Sequence, residues 1–169
     1  MNMHERITGE NDYWGLEYYV SKAQLDWLSN EALTVDNEDW KIIIFTHEPI
    51  VESMSSHIPS LLYLSDLFES FNNRSSISIA HDEGDLTYNF NSSQGKIILQ
   101  HCGHSHKDEY YHSDTMLYVS TGCDARYHDD IWDRTKQTTN EHLFDVVIQN
   151  ESNITFVRIG AGENRILEV

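Results

Sequence analysis

Basic residues are scarce in this chain: 11 Lys and Arg stand against 28 Asp and Glu in 169 residues, a formal charge of −17. A surface of that sign repels polyanions, which excludes a nucleic-acid partner held in a basic groove. It is compatible with gathering divalent cations, although most of the acidity reads as a solubility feature. Cysteine is nearly absent too. Cys102 and Cys123 are the only two, so there is no disulfide framework and no CxxC metal pair. No apolar run approaches membrane-spanning length, and no basic-then-apolar leader opens the sequence. The sequons at Asn73, Asn91 and Asn153 therefore carry little weight, and a cytoplasmic setting with no membrane partner is expected.

What is present describes a folded chain. Hydrophobic residues make up 39% and aromatics 11%, enough for a packed core, and the length suits one domain rather than two. Residues 1–20 are polar and aromatic without a clear period, and are read as an irregular N-terminal segment. Ser21-Lys22-Ala23-Gln24 has the form of a capping box, opening a helix to about Leu33 with Ala23, Leu25, Trp27, Leu28 and Ala32 on its apolar side. Lys41-Ile42-Ile43-Ile44-Phe45 is a continuous β-branched run that predicts a strand buried on both faces, ended by Thr46-His47-Glu48-Pro49. A second helix is expected from Pro59 to Phe71.

Strands are then predicted over 77–81, 86–90, 96–101, 109–112 and 116–120, with a hairpin of 143–149 and 153–159 turned at Asn150–Asn153. The segment from Tyr127 to Asn140 reads as a long loop, and Gly160-Ala161-Gly162 as a turn at a strand end. Helices alternating with buried strands, followed by a strand-rich half, indicate an α/β (α+β) layered sandwich.

The chemistry concentrates in Gly103-His104-Ser105-His106, which follows the apolar run 96–101. A glycine at a strand end lets the backbone turn tightly, and the alternate histidines can then reach two different points in space. Imidazole is a common ligand for zinc, iron, manganese and nickel. His47 shares this setting, since it too follows a buried strand. If the two strands are neighbours, all three histidines reach one sheet edge, where open α/β sheets place their ligand sites. Cys102 within this loop reads as a small buried spacer rather than a thiolate ligand. Arg126, in the polar cluster with Cys123, Asp124 and His128, is a weaker candidate for lining a substrate cleft. His81 reads as structural.

These motifs together resemble the calcineurin-like metallophosphoesterases. That family carries a Gln-x-x-Trp-Leu helix, a buried strand ending in His with a nearby proline, and a strand ending in Gly-His-x-His. Here they stand in order as Gln24-Leu25-Asp26-Trp27-Leu28, Ile42 through Ile50, and Gly103-His104-Ser105-His106. Phe144-Asp145-Val146-Val147 and Arg158 through Arg165 look like the final strands of a bacterial and phage branch. The resemblance runs from about residue 20 onward.

It implies the C-terminal half of a metallophosphoesterase β-sandwich flanked by helices, so that residues 1–169 form a single, partial domain. It implies hydrolysis of a phosphomonoester or phosphodiester at two divalent ions (Mn, Zn or Fe). His47 and His104 would bind one metal and His106 the other. Two cations roughly 3.5–4 Å apart polarise phosphoryl oxygens and activate water for in-line attack. The family's Asp-x-His, bridging Asp and phosphate-binding Asn-His do not occur before His47, so the general acid and the bridging carboxylate are missing and this chain alone is expected to be inactive or nearly so. A separate polypeptide bearing the N-terminal half, or self-association through an uncovered edge of 41–45, would then be partners alongside the phosphate ester. The alternative is a catalytically inactive remnant, or a metal-binding or interaction module of the same fold.

Overall fold

In the computed structural model, residues 20–54, 61–122, 134, 135 and 137–169 are described. Helix α1 spans Lys22–Trp27, and its last turn widens into a π-helical turn over Leu28–Ala32. The capping box at its start is formed: Ser21 Oγ accepts from Gln24 N–H and the Gln24 side chain accepts from Ser21 N–H, satisfying two otherwise orphaned donors. The widening has a visible cause in Leu33 N–H, which bonds back five residues to Leu28 C=O at 2.9 Å. It also shifts the apolar side. Leu25, Leu28 and Leu33 are buried, whereas Trp27 is half exposed and Ala23 and Ala32 face solvent.

Strand β1 (Lys41–Phe45) is followed by α2 (Leu62–Asn72), the hairpin β2 (Ser76–Ile79) and β3 (Leu86–Asn89), then β4 (Lys96–Cys102), β5 (Glu109–His112) and β6 (Leu117–Ser120). A 3-10 turn at Thr139–Glu141 precedes β7 (Leu143–Gln149), β8 (Asn153–Gly160) and β9 (Arg165–Glu168). The principal sheet has the order β1-β4-β6-β5, with β1, β4 and β6 parallel and β5 antiparallel. A second sheet, β7-β8-β9, is antiparallel throughout. The architecture is therefore mixed α+β, with open sheets.

The two faces of the principal sheet bury different partners. Leu64, Leu67, Phe68 and Phe71 of α2 pack with Leu25, Ile97, Cys102 and Tyr118 on one side. Ile98, Leu99, Leu117 and Val119 meet Ile154, Phe156 and Leu167 of the second sheet on the other. A bulge makes this division possible. Ile42 pairs with Ile97 but Ile43 pairs with Leu99, so Ile98 has no partner on β1, and both it and Leu99 turn toward the second sheet. Asn72, at the end of α2, braces the bulge. Its side chain accepts from Ile97 N–H at 2.9 Å and donates to Ile97 C=O at 2.8 Å.

One expectation needs correction, and one strand goes beyond the sequence reading. β1 is an edge strand with Ile42, Ile43 and Ile44 only half-buried: both of its faces are packed, but among the described residues it pairs with β4 alone. A β-branched run fixes the faces a strand covers, not its place in the strand order. Residues 165–168, for which the sequence pattern predicts no element, form β9, which pairs with β8 from Asn153↔Glu168 to Phe156↔Arg165. The turn itself is real, with Gly160 at φ 98° and its Cα so close to His142 C=O that a Cβ would lie 1.9 Å from that oxygen. The start expected for α2 at Pro59, the segment 1–19 and most of 127–140 lie outside the described residues. Among those described, no helix is long and apolar enough to cross a membrane.

Candidate metal centre

Parallel pairing of β1 with β4 puts the carboxyl ends of both strands on one sheet edge, and the loops carrying His47 and His104 emerge there side by side. They are tied together through the backbone: Gly103 N–H donates to His47 C=O at 3.0 Å. The histidine loop then turns sharply. Ser105 N–H reaches Gly103 C=O at 2.7 Å across a three-residue turn centred on His104, whose φ is 58°. His106 has φ 57°. Left-handed backbone at a non-glycine residue costs on the order of 1 kcal/mol and persists only where the surroundings hold it. Here Ser120 holds it, its Oγ donating to Gly103 C=O at 3.0 Å and lying 2.9 Å from Ser105 Oγ.

This arrangement brings His47, Glu48 and His104 into one cluster whose ligand atoms all lie within 4.8 Å of one another. His104 Nδ1 is 2.8 Å from Glu48 Oε1, His47 Nε2 is 3.4 Å from His104 Nδ1, and His47 Nε2 is 3.9 Å from Glu48 Oε1. The rings meet edge to face at 82°. Ligand bonds of about 2.1 Å in tetrahedral geometry place neighbouring donors about 3.4 Å apart. The three edges of the observed triangle bracket that length. Two imidazoles and one carboxylate leave a fourth position open, as in sites where a metal must meet a substrate.

The burial is asymmetric in the way such a site requires. Glu48 has no exposed side-chain surface, while His47 is 57% and His104 39% exposed. The carboxylate forms the floor and the imidazoles the rim. Thr46 Oγ donates to Glu48 C=O at 2.6 Å, and Gln100 Nε2 donates to Thr46 Oγ and to Glu48 C=O, so the backbone at the floor is fixed from both strands.

His106 stands exposed two residues beyond His104 on the same loop and does not enter the three-residue cluster. Arg126 lies outside the described residues. Glu48 was missed in the sequence, although its position directly after a strand-end histidine was the available signal. Cys102 is buried, donates to Val119 C=O at 3.4 Å, and burial pushes its thiol up to about 12. It is a packing residue. His81 is structural: its Nδ1 accepts from Glu83 N–H and its Nε2 meets Val20 C=O at 2.9 Å.

A buried ion network anchors the far side of the histidine loop. Asp108 receives two bonds of 2.8 Å from Arg158 Nη2, and Arg158 Nε donates to Asp145 at 2.7 Å. Arg165 also pairs with Asp145 and donates to Ser120 C=O at 3.1 Å. Thr121 Oγ donates to Asp145 at 3.0 Å and lies 2.7 Å from His101 Nε2. Burial by itself would raise both carboxyls, but the Arg158 hydrogen bonds and the two guanidinium charges hold them below the usual aspartate value. Burial likewise pushes His101 below the usual histidine value. The network thus bolts the second sheet to the loop that carries His104 and His106.

No protein-family model, curated protein or solved structure matches the chain.

Proposed function

We propose that this chain binds a divalent metal through His47, Glu48 and His104, and supplies one side of a metal-dependent phosphoesterase centre in a metallophosphoesterase-type sandwich. The observation that carries the reading is the donor triangle, a His–His–carboxylate set with edges of 2.8, 3.4 and 3.9 Å above a fully buried carboxylate. When bound, the metal (Mn, Zn or Fe) would supply Lewis-acid polarisation of a phosphoryl oxygen. The residues of this chain do the rest of the work assigned to it. Glu48 fixes the depth of the site and neutralises charge, His47 and His104 hold the ion at the surface, and His106 offers an exposed donor toward a second ion. On a chain of charge −17, bound cations are also what would let a phosphate ester approach.

The reading includes an acidic ligand and a proton donor supplied from outside these 169 residues. Titration calorimetry with Mn²⁺ and Zn²⁺ tests the metal site, and hydrolysis of para-nitrophenyl phosphate and its bis ester tests the reaction. Expected are metal binding lost in His104→Ala, negligible hydrolysis by the chain alone, and hydrolysis on mixing with a polypeptide bearing Asp-x-His and Asn-His motifs. Absence of metal binding overturns the reading.

A second reading, a catalytically silent metal-binding module, is favoured by the cluster's having only three donors among the described residues. Metal binding with no hydrolysis in any mixture would select it.

A further inference from the structure

The second sheet carries large apolar side chains on both faces. Its inner face, with Leu143, Ile154, Phe156 and Leu167, is buried. Its outer face carries Phe144 (48% exposed), Val146 (47%), Ile148 (51%), Ile159 (42%) and Ile166 (68%). These are five of the ten large apolar side chains exposed among the described residues, and strand register makes them neighbours. Phe144 lies opposite Ile159, Val146 opposite Val157, and Ile148 opposite Thr155, which in turn faces Ile166. Single exposed apolar residues need no explanation, but a contiguous row of them across three strands is what an interaction surface presents. An antiparallel sheet with one solvated face ordinarily alternates apolar inside with polar outside. This one does not.

The rim decides what fits. Glu168 projects from β9 on the same face as Ile166, and exposed Glu151 and Glu163 occupy the β7–β8 and β8–β9 turns. The two arginines of these strands are turned inward, into the Asp108–Asp145 network. Stacking two copies face to face would oppose acidic rims on chains of −17 each, and an anionic lipid surface is repelled for the same reason. Three strands spaced about 4.8 Å span about 10 Å between their outer axes, the width of one α-helix. We propose that this face docks a basic amphipathic helix of a partner protein, its apolar stripe lying across Val146, Ile148, Ile159 and Ile166 and its Lys and Arg reaching Glu151, Glu163 and Glu168. This surface stands apart from the metal cluster, and its occupancy does not depend on the phosphoesterase reading.

The test uses fluorescein-labelled helical peptides of about 18 residues and the full chain, read by anisotropy. One peptide carries Leu on one face and Lys on the other, a second replaces Lys with Glu, and a third scrambles the Leu/Lys order. The Leu/Lys helix should bind about tenfold more tightly than either control. Ile148→Glu should weaken it about tenfold although the added negative charge favours the peptide electrostatically. Ile166→Thr, which keeps a β-branched residue on β9, should weaken it in the same direction with an unchanged circular dichroism spectrum. Equal binding of the scrambled peptide, or undiminished binding to Ile166→Thr, overturns the proposal. So does a dimer in sedimentation velocity that Ile166→Thr dissociates, which would make the occupant a second copy.

Discussion

His104 Nδ1 lies 2.8 Å from Glu48 Oε1, an imidazole on the rim of the site closing on a carboxylate with no exposed surface. Residues 56 positions apart in sequence meet because β1 and β4 run parallel and end together. A carboxylate is costly to bury unless a cation faces it, and this pair is where a metal would change the energetics most.

Substitution at the floor should separate binding from stability. Glu48→Gln removes a buried charge while keeping its shape, so the metal-free protein should be as stable as the parent within about 1 kcal/mol, or more stable. Its affinity for Zn²⁺ or Mn²⁺ should fall at least about a hundredfold. Calorimetric titration and urea unfolding of the same sample read the two effects. Unchanged metal affinity would remove Glu48 from the site.

The ion network should behave in the opposite way. The Arg158 and Asp145 side chains are each 1% exposed, so Arg158→Met leaves Asp108 and Asp145 to share Arg165 as their one cationic partner among the described residues and should cost about 3 kcal/mol. Urea midpoints check this. Because Asp108 follows His106 by two residues, the variant should also weaken metal binding in whatever fraction remains folded.

Acid should expose the same network. The folded Asp145 carboxyl sits below its usual value, so its contribution is present above the unfolded value of about 3.9 and is lost as pH falls through the lower folded one. The thermal midpoint should therefore drop steeply below about pH 4. Asp145→Asn should start lower at neutral pH and lose less on acidification. A parallel pH profile for the two proteins would show that Asp145 does not carry the dependence.

Cys102 should be chemically silent. With burial holding its thiol at about 12, a Cys123→Ser protein should react with Ellman's reagent only after denaturation. Rapid native labelling would mean that β4 opens locally.

Much of the candidate site could be read along the chain because its signals are local. The Ser21–Gln24 capping box, the glycine before His104, and a histidine directly after each of two strand-like runs depend on residues a few positions apart. The bulge at Ile98 was not legible, since it is defined by what β1 pairs with. Glu48 could be seen next to His47, but nothing local announces that it is the buried floor. Arg158 and Arg165 looked like part of a strand-end turn because their partner Asp108 lies 50 residues before Arg158.

The sequence by itself determined the acidic surface, the helix start, the strand segments before β9 and the positions of the histidines, since charge, capping and hydrophobic period act over one or two turns of chain. Only the tertiary structure decided that β1 is an edge strand, that β9 completes a second sheet with an apolar outer face, and that Glu48 joins His47 and His104. Strand order and burial arise from packing between distant segments, so no local pattern can fix them.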